Sequence, residues 1–320
     1  MRGVVPHPAA VVAALHTASG GWLAVAALAE VLSMDMFARQ QRRLLGAFGV
    51  AISLPRAEAL TYARSALSVS MPAGAAVSGG FAYLQYRSRG ASHRVAADVT
   101  VLSGVLSAVG LAALYAVWIA AATVVGPVLA HPGVAVAMVA AVGGGCLSLV
   151  HRRSNRRRHL GGTAGHANPP AVRRALIWLT ARWPWARRVF TPVADALDAA
   201  AAVQRRDWVA ALAFAAGNWL ADLGCLIAVG YGFGLTLSVA QFAGVYLAVQ
   251  IVRQVPITPG GIGVIEASLL VALVAGGAPH VTAAAVVLVY RVLSCWVIVP
   301  IGLVAWVGLR STGLRGDRPR

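Results

Sequence analysis

Lysine is missing from this sequence, and charged residues of either sign are scarce. All 27 basic side chains are arginine, and charged residues make up only 12% of the 320 residues. A soluble domain needs far more charge to cover its surface, so this composition excludes an ordinary soluble protein. Hydrophobic residues reach 59% instead, and the mean hydropathy is +0.74. The composition indicates an integral membrane protein.

Cysteine and catalytic motifs are scarce as well. The three cysteines, Cys146, Cys225 and Cys295, stand alone in apolar segments, with no CxxC pair and no histidine at metal spacing. They are therefore interpreted as small core residues. We find no Ser-His-Asp set, no HExxH and no P-loop. The longest stretch outside the apolar runs, residues 151–206, is basic. The sequence predicts neither an enzyme nor a cofactor.

Long apolar runs define the predicted spans. Four runs exceed the roughly 18–20 residues that cross a hydrocarbon core: residues 95–126, 128–150, 207–232 and 281–309. Residues 20–38 form a weaker span whose Glu30 and Asp35 either join a buried polar site or lie near the interface. Segments 44–86 and 237–278 each hold two apolar stretches joined at a Pro-Gly break. The fold prediction is an all-α, polytopic transmembrane helical bundle with two broken or re-entrant segments.

Arginine clusters set the predicted orientation. Twelve arginines lie between His151 and Asp207, and four lie in the C-terminal tail. Positive loops stay cytoplasmic, so the long basic loop and the C-terminus are predicted inside an inner (plasma) membrane. The run 151–159 favours anionic lipid over nucleic acid, because no nucleic-acid fold signature accompanies it. Residues 171–190, where tryptophan and arginine mix, indicate an interfacial segment within the loop.

A single membrane domain is predicted over residues 1–320. In chain order it comprises an N-terminal helical half (20–150), the basic cytoplasmic loop (151–206), a C-terminal helical half (207–309) and a cytoplasmic tail (310–320). The broken segment of the first half enters from the inner side, and that of the second half enters from the outer side. This mirror relation predicts that the two breaks are related to each other.

The two breaks also share residues. Ser70–Val77 aligns with Ile257–Val264, and three positions match in the alignment: Pro72 with Pro259, Gly74 with Gly261, and Val77 with Val264. An inverted-topology repeat and a chance match, in a chain rich in alanine, glycine and valine, are both open. A repeat would place the substrate near the bilayer midplane.

The second break, Arg253–Glu266, is unusually polar for a membrane segment. Proline stops the preceding helix, and Thr258 followed by Pro259 fits a helix start with an N-cap and a first-turn proline. The free N–H groups of such a start attract an anion such as a lipid phosphate. Three glycines would permit its close approach: Gly260, Gly261 and Gly263. An ordinary Pro-Gly turn between two tilted spans is the alternative.

Four ionisable residues lie at membrane depth in the second half: Asp222, Arg253, Glu266 and Arg291. Such residues cost about 2.5–3.5 kcal/mol each on insertion scales and usually mark a pathway or a pair. Two acids and two bases can form a purely structural network. In the functional alternative, Arg253 or Arg291 meets a phosphate, while Asp222 or Glu266 pairs with the arginine or moves a proton.

The block Pro256–Ala267, with Ala283–Ala285 and Tyr290–Arg291 after it, resembles the transmembrane family named after lysylphosphatidylglycerol synthase, also called flippase-like. In that family a P-x-x-P-G-G-x-G-x-x-E block opens a helix and a Y-R pair follows. The N-terminal half resembles the family more loosely. Its Pro72–Gly80 segment lacks the acid that the family usually carries there, and the nearest acid in the next helix is Asp98, which is expected to be solvated.

The resemblance implies a polytopic protein that moves lipid. The membrane part of the synthase is held to move a phospholipid between leaflets, and other members are linked to the export of lipid-anchored glycans. The aminoacyl-transferase domain is missing, so lysyl-lipid synthesis is not implied. We therefore expect a flippase or translocase for a phospholipid or a lipid-linked precursor. Its head group would be held by Pro259–Gly263 and by Arg253 or Arg291.

The expected partners are membrane lipids with anionic head groups, and no nucleic acid. A homo-oligomer or a partner in envelope synthesis is left open. Two other functions also stay open at this point. One is a secondary transporter of a small soluble anion, and the other is a non-transporting scaffold of an envelope-synthesis complex.

Overall fold

The computed structural model describes residues 8–71, 73–124, 203–253 and 258–316, which form helices and short connections without a strand. The first half contains α1 (Pro8–Leu15), α2 (Gly20–Ala47), α3 (Leu54–Ser70), α4 (Gly74–Arg87) and α5 (His93–Val124). The second contains α6 (Arg205–Gly232), α7 (Val239–Arg253), a 3₁₀ turn (Pro259–Gly261), α8 (Val264–Ala275), α9 (His280–Arg291), a π turn (Val292–Trp296) and α10 (Ile298–Gly316). The predicted span 128–150 and the predicted loop up to residue 202 lie outside the described residues.

Four helical stretches are long and apolar enough to cross a membrane: Gly20–Ala47, His93–Ala121, Arg205–Gly232 and His280–Arg310. Helices α7 and α8 are apolar but shorter. The prediction of an all-α polytopic bundle is confirmed. The first span runs further than the predicted residue 38, because arginine and glutamine favour a helix and because Gln40 and Gln41 are buried.

Small residues let the helices approach closely. Gly110 of α5 lies against the backbone of Ala215 in α6, where an added Cβ would meet atoms at 3.3–3.5 Å. Gly302 of α10 faces the carbonyl oxygen of Tyr62 in α3 even more tightly. Membrane helices commonly associate through such small residues, because lipid supplies little hydrophobic drive for helix pairing.

Helices α2 and α6 pack antiparallel along their whole length. At one end, the Ser19 N–H donates to the Gly232 carbonyl at 2.8 Å. At the other end, the Arg43 Nη2 atom lies 2.9 Å from the Asp207 Oδ1 atom. We call this contact the α2–α6 seam. Since α2 leads the first half and α6 leads the second, the two halves start in opposite directions.

The order of elements repeats between the halves. Among the described residues after α1, each half has a long helix, two shorter helices separated by a break, and then another long helix, which is α5 in the first half and the continuous stretch His280–Arg310 in the second. The leading helices α2 and α6 both contain 28 residues. Ser33 and Asn218 hold matching positions 185 residues apart, and the Asn218 side-chain amide donates to the Ser33 hydroxyl at 2.8 Å. Equivalent residues in a two-fold arrangement meet at the axis. This pair therefore marks a two-fold axis between the halves.

A second set of matching contacts supports the same axis. The Tyr115 hydroxyl of α5 donates to the Leu247 carbonyl of α7, and Gly302 of α10 packs on the Tyr62 carbonyl of α3. Tyr115 and Gly302 are 187 positions apart, and Tyr62 and Leu247 are 185 positions apart. Each half thus packs the helix before its break on the final helix of the other half. This arrangement agrees with the predicted inverted-topology repeat.

Candidate functional site

The second break passes through a glycine turn before its helix begins. Pro259–Gly261 form a single 3₁₀ turn, and regular helix starts at Val264. The Thr258 hydroxyl donates to the Ile262 carbonyl at 2.9 Å, so Thr258 does not cap a helix. The predicted helix start at Thr258 and Pro259 is wrong, because three glycines with positive φ, a conformation only glycine adopts cheaply, turn the chain first: Gly260, Gly261 and Gly263.

Glu266 supplies the anion at the start of α8. One carboxylate oxygen accepts the backbone N–H of Gly263 at 2.6 Å, and the other accepts the Arg291 Nε–H at 2.6 Å. Arg291 is only 1% exposed, and its Nη2 atom also donates to the Gly260 carbonyl at 3.4 Å. A carboxylate is stabilised at a helix N-terminus by the N–H groups and the dipole. An internal carboxylate thus holds the place that was predicted for a phosphate.

A second cluster surrounds Asp222, midway along α6. Its carboxylate accepts the hydroxyls of Tyr246 and Tyr290, both at 2.8 Å. The Arg253 Nη1 atom lies 3.8 Å from the Asp222 Oδ2 atom and 3.5 Å from the Gln250 Oε1 atom. The Arg253 side chain is 32% exposed. Arg253 is therefore held more loosely than Arg291 and can accept a further anionic partner.

Glu30 of α2 borders this cluster. Its side chain is buried, and its Oε2 atom has no hydrogen-bond partner in the part of the chain that the structure describes. The Glu30 carboxylate interacts with Asp222, with Arg253 and with the Cys225 thiol. A buried carboxylate oxygen without a partner is costly. Asp35, by contrast, pairs with Arg39 at 2.6 Å.

The structure sorts the predicted site residues into two groups. The break cluster contains Thr258, Pro259, Gly260, Gly261, Gly263, Glu266 and Arg291. The Asp222 cluster contains Asp222 and Arg253, to which the structure adds Glu30, Tyr246 and Tyr290. Tyr290 bonds to Asp222 and Arg291 bonds to Glu266, and because these two residues are adjacent in the chain they link the two clusters. Within the described ranges, no three His, Cys, Asp or Glu side chains come together as metal ligands.

Sequence reasoning missed a third cluster, in the first half. The Gln41 Nε2 atom donates to the Thr61 hydroxyl at 3.0 Å, and its Oε1 atom accepts Tyr86 Oη–H at 2.7 Å and Arg64 Nη1–H at 2.9 Å. Arg64 also donates to the Ser78 hydroxyl at 3.2 Å. We call these residues the Gln41 cluster. The three-residue spacing of Thr61 and Arg64, which places both on one face of α3, was a usable signal.

The second break contacts the end of α3, the helix that precedes the first break. An added Cβ on Gly260 would lie 2.6 Å from the Val69 carbonyl at the end of α3. Just after the first break, Ala73 has φ +53°. Pro72 and residues 254–257, which complete the breaks, lie outside the described residues. The expectation that Asp98 is solvated is wrong: it is 6% exposed, because α5 turns this side chain inward, 3.9 Å from Arg94 Nε.

Comparison with known proteins adds one match. The family described as the lysylphosphatidylglycerol synthase TM region matches residues 5–302. That range includes both leading helices, both breaks and all three clusters. No curated protein matches the chain.

Proposed function

This chain belongs to the lysylphosphatidylglycerol synthase TM region family, and on that premise we propose that it moves a phospholipid or a lipid-linked precursor between membrane leaflets. The observation that carries this proposal is the Asp222 cluster. It combines a loosely held arginine, Arg253, with two buried carboxylates inside an inverted repeat. Transporters with inverted repeats bind substrate near the midplane at the repeat interface.

The depth of the Asp222 cluster fits this role. Asp222 follows the axis residue Asn218 by four positions in α6, which is about 6 Å along a helix at ~1.5 Å per residue. The hydrocarbon core is roughly 30 Å thick. Asp222 therefore lies well inside the core if the axis is at its centre.

Arg253 is the residue proposed to contact the head group. A guanidinium binds phosphate through two parallel hydrogen bonds, which are shorter and stronger than its present contacts at 3.5 and 3.8 Å. Asp222 keeps both tyrosine hydroxyls when Arg253 turns to a phosphate, so the carboxylate stays hydrogen-bonded. Glu30, with an unpartnered oxygen, is proposed to take up or release a proton as the charge beside it changes.

The break cluster is proposed to shape the path rather than to hold the ligand. The Glu266–Arg291 pair closes the glycine turn, and Gly260 sets that turn against α3. Thr258, Pro259, Gly261 and Gly263 contribute the backbone of the turn. This role follows from the hydrogen bonds that Arg291 already makes.

Further parts of the proposal rest on composition. The basic loop and the C-terminus are placed on the cytoplasmic side of an inner (plasma) membrane by the positive-inside rule. The protein is proposed to act without catalysis, on membrane lipids with anionic head groups. The sequence contains no P-loop, so lipid movement would be passive or coupled to an ion.

The test is lipid movement in vesicles that contain the purified full chain and phosphatidylglycerol with a fluorescent label. A membrane-impermeant quencher removes the outer-leaflet signal, and further quenching measures translocation. We expect Arg253→Gln to slow translocation at least about tenfold, the effect of losing about 1.4 kcal/mol of transition-state stabilisation. Arg39→Gln, which removes an arginine from a partly exposed pair with Asp35, is the matched control and should leave the rate unchanged.

Three other outcomes would overturn parts of the proposal. Equal rates for Arg253→Gln and the parent protein would remove Arg253 from the site. Uptake of a soluble organic phosphate without lipid movement would favour a small-anion transporter. Neither activity, together with a co-purifying protein, would favour a scaffold of an envelope-synthesis complex.

A further inference from the structure

Arg64 is a half-buried cation that no described carboxylate neutralises. Its Nε and Nη1 atoms donate to Ser78 and Gln41 at 3.2 and 2.9 Å, and its guanidinium lies 5.0 Å from the centroid of the Phe37 ring. All of these partners are neutral. Over the described ranges, Arg64 has no ion pair within 4 Å.

Other arginines inside the bundle are treated differently. Arg253 faces Asp222 and Arg291 faces Glu266, so each has an acid on a neighbouring helix. Amide and hydroxyl groups orient a guanidinium but do not neutralise its charge. Because an ionisable group at membrane depth usually marks a pair or a ligand pathway, the lack of an acid beside Arg64 among the described residues favours a ligand that supplies the anion.

The position of Arg64 identifies where that anion comes from. Its partner Gln41 follows the axis residue Ser33 by eight positions, which is about 12 Å along α2. With the axis placed at the centre of the hydrocarbon core, that depth is just inside the edge of a core roughly 15 Å thick on each side of its centre. Gln41 lies toward the end of the seam where Arg43 meets Asp207, and Asp222 lies toward the opposite end.

We propose that Arg64 and the Gln41 cluster form a second phosphate site, which takes the phosphodiester of an anionic lipid in the leaflet next to the C-terminal end of α2. The two arginine sites then lie on opposite sides of the axis, at the leaflet edge and near the midplane. This inference rests on the proposed lipid substrate. It adds a place where the lipid binds before or after it meets Arg253.

The test measures binding rather than transport. The full chain with Arg253→Gln, purified in detergent, is titrated with dioctanoyl phosphatidylglycerol, with dioctanoylglycerol and with inorganic phosphate. We expect saturable binding of the phosphatidylglycerol alone. Adding Gln41→Glu places a carboxylate where the amide oxygen is now 2.9 Å from Arg64 Nη1, so the chain neutralises Arg64 itself. Affinity should fall at least tenfold while thermal unfolding stays cooperative.

Two further variants separate charge from folding. Arg64→Lys keeps the charge and should retain part of the affinity, whereas Arg64→Gln should lose it. Arg205→Gln, at the exposed start of α6, should bind like the Arg253→Gln parent. Undiminished binding in Gln41→Glu would overturn the site, and equal binding of inorganic phosphate would overturn the lipid as its ligand. Normal binding without translocation in vesicles would instead contradict the proposed function alone.

Discussion

In the second half of this protein, Arg253 and Arg291 face carboxylates from neighbouring helices, whereas in the first half Arg64 faces an amide and hydroxyls. The halves share a helix order and an axis, so the difference lies in side chains rather than in backbone. An arginine in a close internal ion pair, such as Arg291, is not available to other anions. Arg253 is an exception because its ion pair is loose. A neutral cluster leaves the charge available.

The two breaks show the same contrast between the halves, because an ion pair is found at the second break and not among the described residues of the first. In sequence, α3 and α4 are separated by three residues, of which Ala73 has a left-handed conformation, whereas α7 and α8 are separated by ten residues, which include three positive-φ glycines. The longer break is tied down by the Glu266–Arg291 pair, and the shorter one has no described pair of this kind. The longer second break is therefore held in place by an ion pair.

The largest effect is expected from the pair that fixes the longer break. Arg291→Ala leaves the Glu266 carboxylate, which is 28% exposed, without its guanidinium, and the cost of breaking a fully buried pair, about 3–5 kcal/mol, is the upper limit of the expected loss. Thermal unfolding in detergent should show a large fall in the midpoint. Arg94→Ala removes an arginine that is 76% exposed in its pair with Asp98 and should cost about 0–1 kcal/mol. Equal losses for the two variants would contradict a structural role for Arg291.

A medium effect should separate charged from neutral clusters. Tyr290→Phe removes a hydrogen bond to the Asp222 carboxylate, and bonds to charged groups contribute about 1.5–3 kcal/mol. Tyr86→Phe removes a hydrogen bond to the Gln41 amide, where about 0.5–1.5 kcal/mol is expected. Denaturant unfolding of both variants measures the difference. A Tyr86→Phe loss as large as that of Tyr290→Phe would mean that the charge of Asp222 adds nothing.

The last comparison tests backbone strain in the breaks through two effects of opposite sign, of which the gain for Ala73→Gly is the smallest change expected. Ala73→Gly removes the cost of a left-handed residue, about 1–2 kcal/mol, less the added flexibility of glycine, so we expect a gain of about 0.5–1 kcal/mol. Gly263→Ala introduces strain of about 1–3 kcal/mol at φ +85° where space is open. Unfolding midpoints should move in opposite directions. Movement in the same direction would show that packing, not φ, decides at one of the breaks.

Much of this architecture could be predicted from local patterns. Apolar runs located the long helices, and proline with glycine located both breaks. The sequence grouped the charges as two acids and two bases that could pair, but which acid meets which base depends on helix rotation. Gln40 and Gln41 show the same limit. They stand among the arginines at positions 39, 42 and 43, beyond the predicted end of the first span at residue 38, yet the rotation of α2 buries both of them.

The position of Glu30 was left open and the start of α8 was predicted wrongly, for related reasons. The depth of Glu30 was ambiguous, because the sequence does not show that α6 covers it with Asp222 and Cys225. Thr258 and Pro259 fit a helix start locally. Gly260 contacts the end of α3, which is distant in sequence. Only this contact shows why the chain forms a glycine turn before α8 begins.

The α2–α6 seam has a mechanical consequence. Polar contacts fix it at both ends and at the axis, between Ser19 and Gly232, between Arg43 and Asp207, and between Ser33 and Asn218. A relative slide or rotation of the two helices would break all three contacts together, so we expect α2 and α6 to move as one rigid body. Spin labels at the two ends of the seam should then keep a constant separation during lipid movement.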